Sequence, residues 1–344
     1  MKKLLIGLLA TSAFAVMAAS SAMAAETMPK KVGYVVNYAT HEWYQNVIKG
    51  MKDRGKQLGI EVEVKDANLD AAKQVAAAED FISQGVDVLI ITPVNEDAVA
   101  PLLRRAKEEG VPIVLEGNPV KGMTTLVAIC DYDTGYHAGV EAGKYAKAHL
   151  GGKANVMNVG LPLLSATVLR SKGFMDGIKT EIPGAVMVHD LDGGGNPDRS
   201  FEVSAAALAQ NGDINVIYGI NDSSSLGGLQ AWKAAGKSQD NLLVVGTGGE
   251  GLAFINAIEK EPSYKIEAAM FPEKVGFTAM DAAVKLYNKE EVPTWIVSPT
   301  TPMNGEDWKK FYSVEGTTRT INWDNVNKVV APDKCMQTAA DLKK

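Results

Sequence analysis

Histidine and cysteine are scarce in this 344-residue chain, four and two respectively. Neither type forms a cluster with metal-ligand spacing. No C-x-x-C pair, H-E-x-x-H helix, P-loop or G-x-S-x-G elbow occurs, which removes the usual signatures of zinc chemistry, phosphoryl transfer and serine hydrolysis. No metal and no cofactor is therefore expected. Positive charge is also short, with 35 Lys and Arg against 41 Asp and Glu and a net charge of −6. That balance argues against nucleic acid or anionic membrane as a partner. After the first 24 residues no segment has the roughly 18 uninterrupted apolar residues that a membrane span requires.

What is present begins with Lys2 and Lys3, an apolar stretch from Leu4 to Met17, and small residues ending in Ala22-Met23-Ala24. This is the order of a secretory signal peptide (residues 1–24) cleaved after Ala24. The alternative, a membrane anchor, suits it less well, because the stretch is short and lacks a charged stop. No cysteine near the cleavage point offers a lipidation site, so the mature product is expected free in the periplasm. In that oxidising compartment Cys130 and Cys335 read as a structural disulfide rather than a catalytic or metal pair, although spacing alone does not show that they meet.

From Lys31 onward, short apolar runs alternate with longer amphipathic or alanine-rich ones, the pattern of parallel strands joined by crossover helices. Strands are expected at 32–36, 60–64, 86–92, 111–115 and 126–130, then at 154–159, 185–189, 215–218 and 242–246. Asn68 is the expected cap of the second helix, and Asp131 or Asp133 that of the helix carrying Gly139 and Gly143. The run 86–92 is almost wholly apolar, as a strand covered on both faces should be. The second half repeats the architecture of the first with no flexible linker between, which predicts two lobes joined by short crossing segments. Solutes bind beyond the carboxyl ends of such strands, so two facing lobes would share one cleft.

Val32-Gly33-Tyr34-Val35-Val36 followed by Trp43-Tyr44, then Gly85 to Val94 and Glu108 to Val114, resemble in order the ribose-binding-protein branch of type I periplasmic binding proteins. Ser165 to Phe174, Asn221-Asp222 and Val244-Val245-Gly246 continue the match over nearly the whole mature chain. The resemblance implies an α/β protein of two Rossmann-like lobes with parallel sheets and a three-segment hinge, crossing near Cys130, Met270 and Pro299. The first lobe would comprise residues 25–130 plus 271–299, and the second 131–270 plus 300–344, including a C-terminal extension beyond the usual family end. It also suggests that Cys335 returns to bridge Cys130 near the hinge. It implies a substrate-binding protein of an ABC importer, expected to be a monomer, that holds a small sugar or polyol. Its partners would be an inner-membrane permease and, in a sensory version, a chemoreceptor or kinase.

By the same resemblance Trp43 and Tyr44 stack on the solute, with Asn37 and His41 beside them; the alternatives are core packing for the aromatics and a turn cap for His41. Glu116 and Asn118 follow the fourth strand where the family grips hydroxyls, or are ordinary loop residues. Asn221 matches a ligand-binding asparagine, leaving Asp222 as the helix cap, and Asn196 sits near a ligand-facing turn. The family's clamp arginine aligns with Val168, its acid after the fifth strand with Gly248, and its hinge glutamine with Met270. Arg170 and Glu250 each stand two residues away and either compensate or are structural. Losing an arginine and a carboxylate lowers the polar capacity of the site, so a short polyol, a deoxy sugar or a modified sugar is expected.

Two motifs fall short. Asp190 to Asp198 partly mimics a calcium loop, but Gly194 removes the fifth ligand and Phe201 stands where the bidentate Glu belongs. Gly246 to Gly251 lacks the dinucleotide-loop spacing. A sugar-converting enzyme on the same architecture would need an acid or base pair such as Glu116 and Glu250 brought together.

Overall fold

The computed structural model describes residues 27–210, 212–338 and 341; the expected signal peptide lies outside them. The first lobe runs β1 (Lys31–Val36), α1 (Glu42–Leu58), β2 (Glu61–Asp66), α2 (Ala71–Ser83), β3 (Val88–Ile91), α3 (Glu96–Glu108), β4 (Ile113–Glu116) and β5 (Thr125–Ala128). The second runs α4 (Asp131–His149), β6 (Asn155–Gly160), α5 (Ser165–Glu181), β7 (Val186–Asp192), α6 (Pro197–Gln210), β8 (Val216–Gly219), α7 (Asp222–Ala234), β9 (Leu243–Gly248), α8 (Leu252–Lys260) and β10 (Tyr264–Ala269). The chain then returns to the first lobe for α9 (Pro272–Tyr287) and β11 (Trp295–Val297), and crosses again into β12 (Thr301–Asn304). Strand order is β11-β5-β4-β3-β1-β2 in one sheet and β12-β10-β9-β8-β6-β7 in the other. Within these two sheets the pairings among the described residues are parallel except that of β12 with β10.

Pleating sends successive side chains to opposite faces, and both faces are covered. Val32, Tyr34 and Val36 enter one core cluster of the first lobe, while Val35 enters the other. Val216 and Tyr218 likewise face one side of the second sheet and Ile217 its opposite. This double burial is why the central strands read as unbroken apolar runs.

Helices α4 and α5 pack backbone against backbone. A Cβ on Gly135 would lie 2.1 Å from the carbonyl oxygen of Arg170, and one on Gly173 would lie 2.1 Å from that of Tyr132. The approach brings Asp131, at the start of α4, against Arg170 in α5.

Two expected caps are corrected. Asp70, not Asn68, caps α2, its carboxylate accepting from the amides of Ala72 and Lys73, while Asn68 and Leu69 take positive φ in the turn before it. Neither Asp131 nor Asp133 caps α4. Its cap position is Cys130, and the Asp131 carboxylate is turned to Arg170 instead.

After β12 come α10 (Trp308–Phe311), the hairpin β13 (Tyr312–Glu315) with β14 (Thr318–Ile321), and α11 (Trp323–Val326). Trp308, Tyr312, Ile321 and Val326 join the core of the second lobe. The same segment reaches α9 of the first. The Arg319 guanidinium donates to Glu273 at 2.5 Å with both side chains about 5% exposed or less, Lys274 donates to Asn327, and Phe277 packs on Trp323. The chain then returns to the first crossing, where Cys335 is disulfide-bonded to Cys130 and the Met336 amide donates to Asp133.

Candidate functional site

The carboxyl ends of both sheets face each other across a cavity of about 360 Å³, within the usual size range of small-molecule sites. The first lobe supplies Asn37 and Tyr38 after β1, His41, Trp43 and Tyr44 at the start of α1, and Leu69. From the second come the Leu161 to Leu164 turn after β6, Thr167 and Arg170 on α5, Asp192, Gly194, Gly195 and Arg199 around the β7–α6 turn, and Ile220, Asn221 and Glu250. A larger groove of about 750 Å³ lies between α6, α7 and α8. It gathers no residue from the first lobe and none from a strand, so the interlobe cavity is the candidate site.

The lobes are closed on each other. Asn221 Nδ2 lies 3.0 Å from His41 Nε2, and Asn46 Nδ2 donates to the carbonyl oxygen of Glu250 at 2.7 Å. Asn221 also caps α7, its Oδ1 accepting from the Ser224 amide, and its Nδ2 donates to the Gly195 carbonyl. The cap expected of Asp222 is thus made by Asn221. Asp222 instead accepts from the Gly249 and Glu250 amides and holds the β9–α8 turn. His41 caps α1 as well, Nδ1 accepting from the Trp43 amide at 3.2 Å. A neutral imidazole accepts at only one nitrogen, so that bond and an Asn221 bond to Nε2 exclude each other. Burial lowers the His41 pKa, keeping the ring neutral.

Polar groups converge from both sides. Asn37 Nδ2 donates to the Tyr44 hydroxyl at 2.8 Å, while its buried Oδ1 has no partner among the described residues. Arg170 gives Nε to Asp131 at 2.7 Å and Nη1 to the Ile220 carbonyl at 2.9 Å. Glu250 is 2% exposed, and its Oε2 likewise has no hydrogen-bond partner among the described residues. Burial, with Asp222 and Glu42 nearby, pushes its pKa well up. Orphaned buried polar atoms are costly; here they come from opposite lobes and belong to the walls of one enclosed, partly aromatic space.

The structure brings Asn37, His41, Trp43, Tyr44, Arg170, Asn221 and Glu250 together and leaves six expected residues outside the lining. Val168 is turned away on α5, where Thr167 and Arg170 share the cavity face. Glu116 is buried beside Thr92, and burial pushes it up to about 7. The Asn118 side chain donates to the Pro93 carbonyl and borders a small void beside the disulfide. Asn196 is exposed and accepts from the Asp198 and Arg199 amides. Gly248 has φ 137°, and the space a side chain there would need is filled by Asp222 and Glu250. Met270 is packed in the first-lobe core. Sequence reasoning missed Tyr38, Thr167, Ile220 and the Leu161 to Leu164 turn. That turn's signal was an apolar cluster just past a strand end, with Leu163 left 74% exposed.

Two facing α/β lobes with a shared closed cavity define a solute-binding architecture. Residues 32–291 match the family described as periplasmic binding protein domain, and the chain belongs to it. Among curated relatives, the ribose import binding protein RbsB of Bacillus subtilis is 28% identical over 270 residues, 78% of this chain and 85% of its own length. The putative rhizopine-binding protein of Rhizobium meliloti is 28% identical over 309 residues, 87% of this chain and 95% of its own. An ABC transporter solute-binding protein of Mycobacterium smegmatis, solved with bound glycerol, superposes with a TM-score of 0.76 at 22% identity. That match covers 85% of this chain and 99% of that one.

Proposed function

We propose that this protein is the periplasmic substrate-binding component of an ABC importer and closes its two lobes around one small sugar or polyol, which it releases unaltered to an inner-membrane permease. The carrying observation is the closed cavity with an unpartnered acceptor from each lobe, Asn37 Oδ1 and Glu250 Oε2, set among Tyr38, Trp43 and Tyr44. Ring faces suit the C–H faces of a sugar, while the polar atoms fix its hydroxyl edge. The bound ligand or the name of similar proteins, glycerol, ribose and xylitol among them, supports the solute class. A solute that touches both lobes favours the closed state by differential contact, and the three crossing segments are where the hinge bends. The named role of the similar proteins is solute binding or import, which supports a non-enzymatic role. Glu116 and Glu250 do not share the cavity lining, so the acid–base pair a converting enzyme would need is not assembled there.

The test is a thermal-shift screen of polyols and pentoses on the mature chain, with recovery of the ligand by mass spectrometry. A saturable rise in melting temperature with an unchanged ligand is expected. No stabilising member, or a chemically altered one, overturns the reading.

A further inference from the structure

One acid in the lining of the closed cavity lacks a partner among the described residues. Arg170 is paired with Asp131, and at the mouth Arg199 is paired with Asp192 at 2.6 Å. Each pair is neutral as a unit. Glu250 is the remaining carboxylate in the lining, and no Lys or Arg pairs with it among the described residues. Its nearest basic group, His41 Nδ1, is 4.0 Å away and already accepts the Trp43 amide. The groups acting on Glu250 are Asp222 and Glu42, which oppose its charge, and Arg170 and Arg319, which favour it but are committed to Asp131 and Glu273.

Across the same cavity stand the rings of Tyr38, Trp43 and Tyr44. Aromatic faces attract cations, more strongly when water is excluded. Burial and the two nearby acids favour the neutral form of Glu250 in the empty cavity; a neutral hydroxyl meets the hydrogen-bonding need of Oε2 but gives the carboxylate no counter-charge. An ammonium group supplies both in one contact, and charge-assisted hydrogen bonds are roughly twice as strong as neutral ones.

We propose that the solute carries a protonated amine on its sugar or polyol frame and that Glu250 is the residue that selects for it. This rests on the reading of the protein as a sugar or polyol binder, and narrows it. Specificity then comes from opposite lobes: hydroxyls meet Asn37 and Asn221, and the amine lies between Glu250 and the aromatic wall.

The experiment is titration calorimetry of the mature full-length chain with matched pairs that differ only in one hydroxyl replaced by an amine. Suitable pairs are glycerol with 2-amino-1,3-propanediol, glucose with glucosamine, and myo-inositol with an aminodeoxyinositol. At neutral pH the amino member of at least one pair should bind about tenfold or more tightly than its neutral partner, and Glu250→Gln should bring that ratio close to one. The comparison on the wild-type chain stands even where the variant folds poorly. Neutral members binding as tightly as, or more tightly than, their amino partners in every pair overturns this inference and leaves the sugar-binding reading intact. Binding by no member of any pair overturns this inference, while the thermal-shift screen of polyols and pentoses decides the sugar-binding reading separately.

Discussion

Asn221 carries two duties that one substitution can separate. Its Oδ1 caps α7 through the Ser224 amide, and its Nδ2 reaches His41 across the cleft and the Gly195 carbonyl within its own lobe. Serine caps a helix about as well as asparagine, whereas alanine costs about 1 kcal/mol. Asn221→Ser should therefore keep most of the stability, and Asn221→Ala should melt about 2 to 4 °C below it. Neither side chain reaches His41. Both also take away the Nδ2 donor that Asn221 offers the solute in the cavity lining, a hydrogen bond with a net worth of about 1 kcal/mol, so both variants should bind the solute at least about fivefold more weakly. Calorimetric titration and thermal melts, run side by side, make the comparison. Asn221→Ser and Asn221→Ala melting together while both bind at wild-type strength would refute this division of labour.

Burial raises Glu116 from an ordinary 4.5 to about 7. A raised carboxyl contributes stability that is fully present below its unfolded value and is lost as pH climbs through its folded value, up to about 3 kcal/mol here. Urea unfolding at pH 5 and pH 7.5 should show the loss in wild type and a shallower one in Glu116→Gln; equal slopes count against it. Arg319→Ala strands the buried Glu273 carboxylate and should cost about 3 to 5 kcal/mol, most of it recovered when Glu273 is also made apolar; a surface-like loss under 1 kcal/mol in urea contradicts that burial. Gly135→Ala pushes α5 off α4, costing about 1 to 3 kcal/mol, and should also weaken solute binding because Arg170 sits on the displaced helix; unchanged affinity and stability argue against the coupling. Denatured, unreduced protein should titrate no free thiol, and Cys335→Ser should lower the melting temperature.

Much of the fold could be read because doubly covered parallel strands leave a plain mark. The runs around Val88 to Ile91 and Val216 to Tyr218 are apolar on both faces, and only a sheet flanked by helices makes that pattern. The caps were harder, since Asn68 and Asp70 are both good capping types and only the positive φ at Asn68 and Leu69 decides between them. Positions in the site went astray by similar small offsets. Residue 168 is one step along α5 from Thr167 and therefore about 100° around the helix from it, while Arg170 returns to the cavity face. At Gly248 the backbone conformation and the crowding carboxylates leave no room for a side chain, so the acid is presented two residues later. The C-terminal segment was beyond reading because its two strands and two helices are four residues each, too short for periodicity to show.

Small-angle scattering along a titration with the ligand found in the thermal-shift screen tests most directly whether the lobes move together around it. The radius of gyration should fall and level off at the dissociation constant measured by calorimetry. A profile that stays the same from empty to saturated protein would contradict closure as the mechanism.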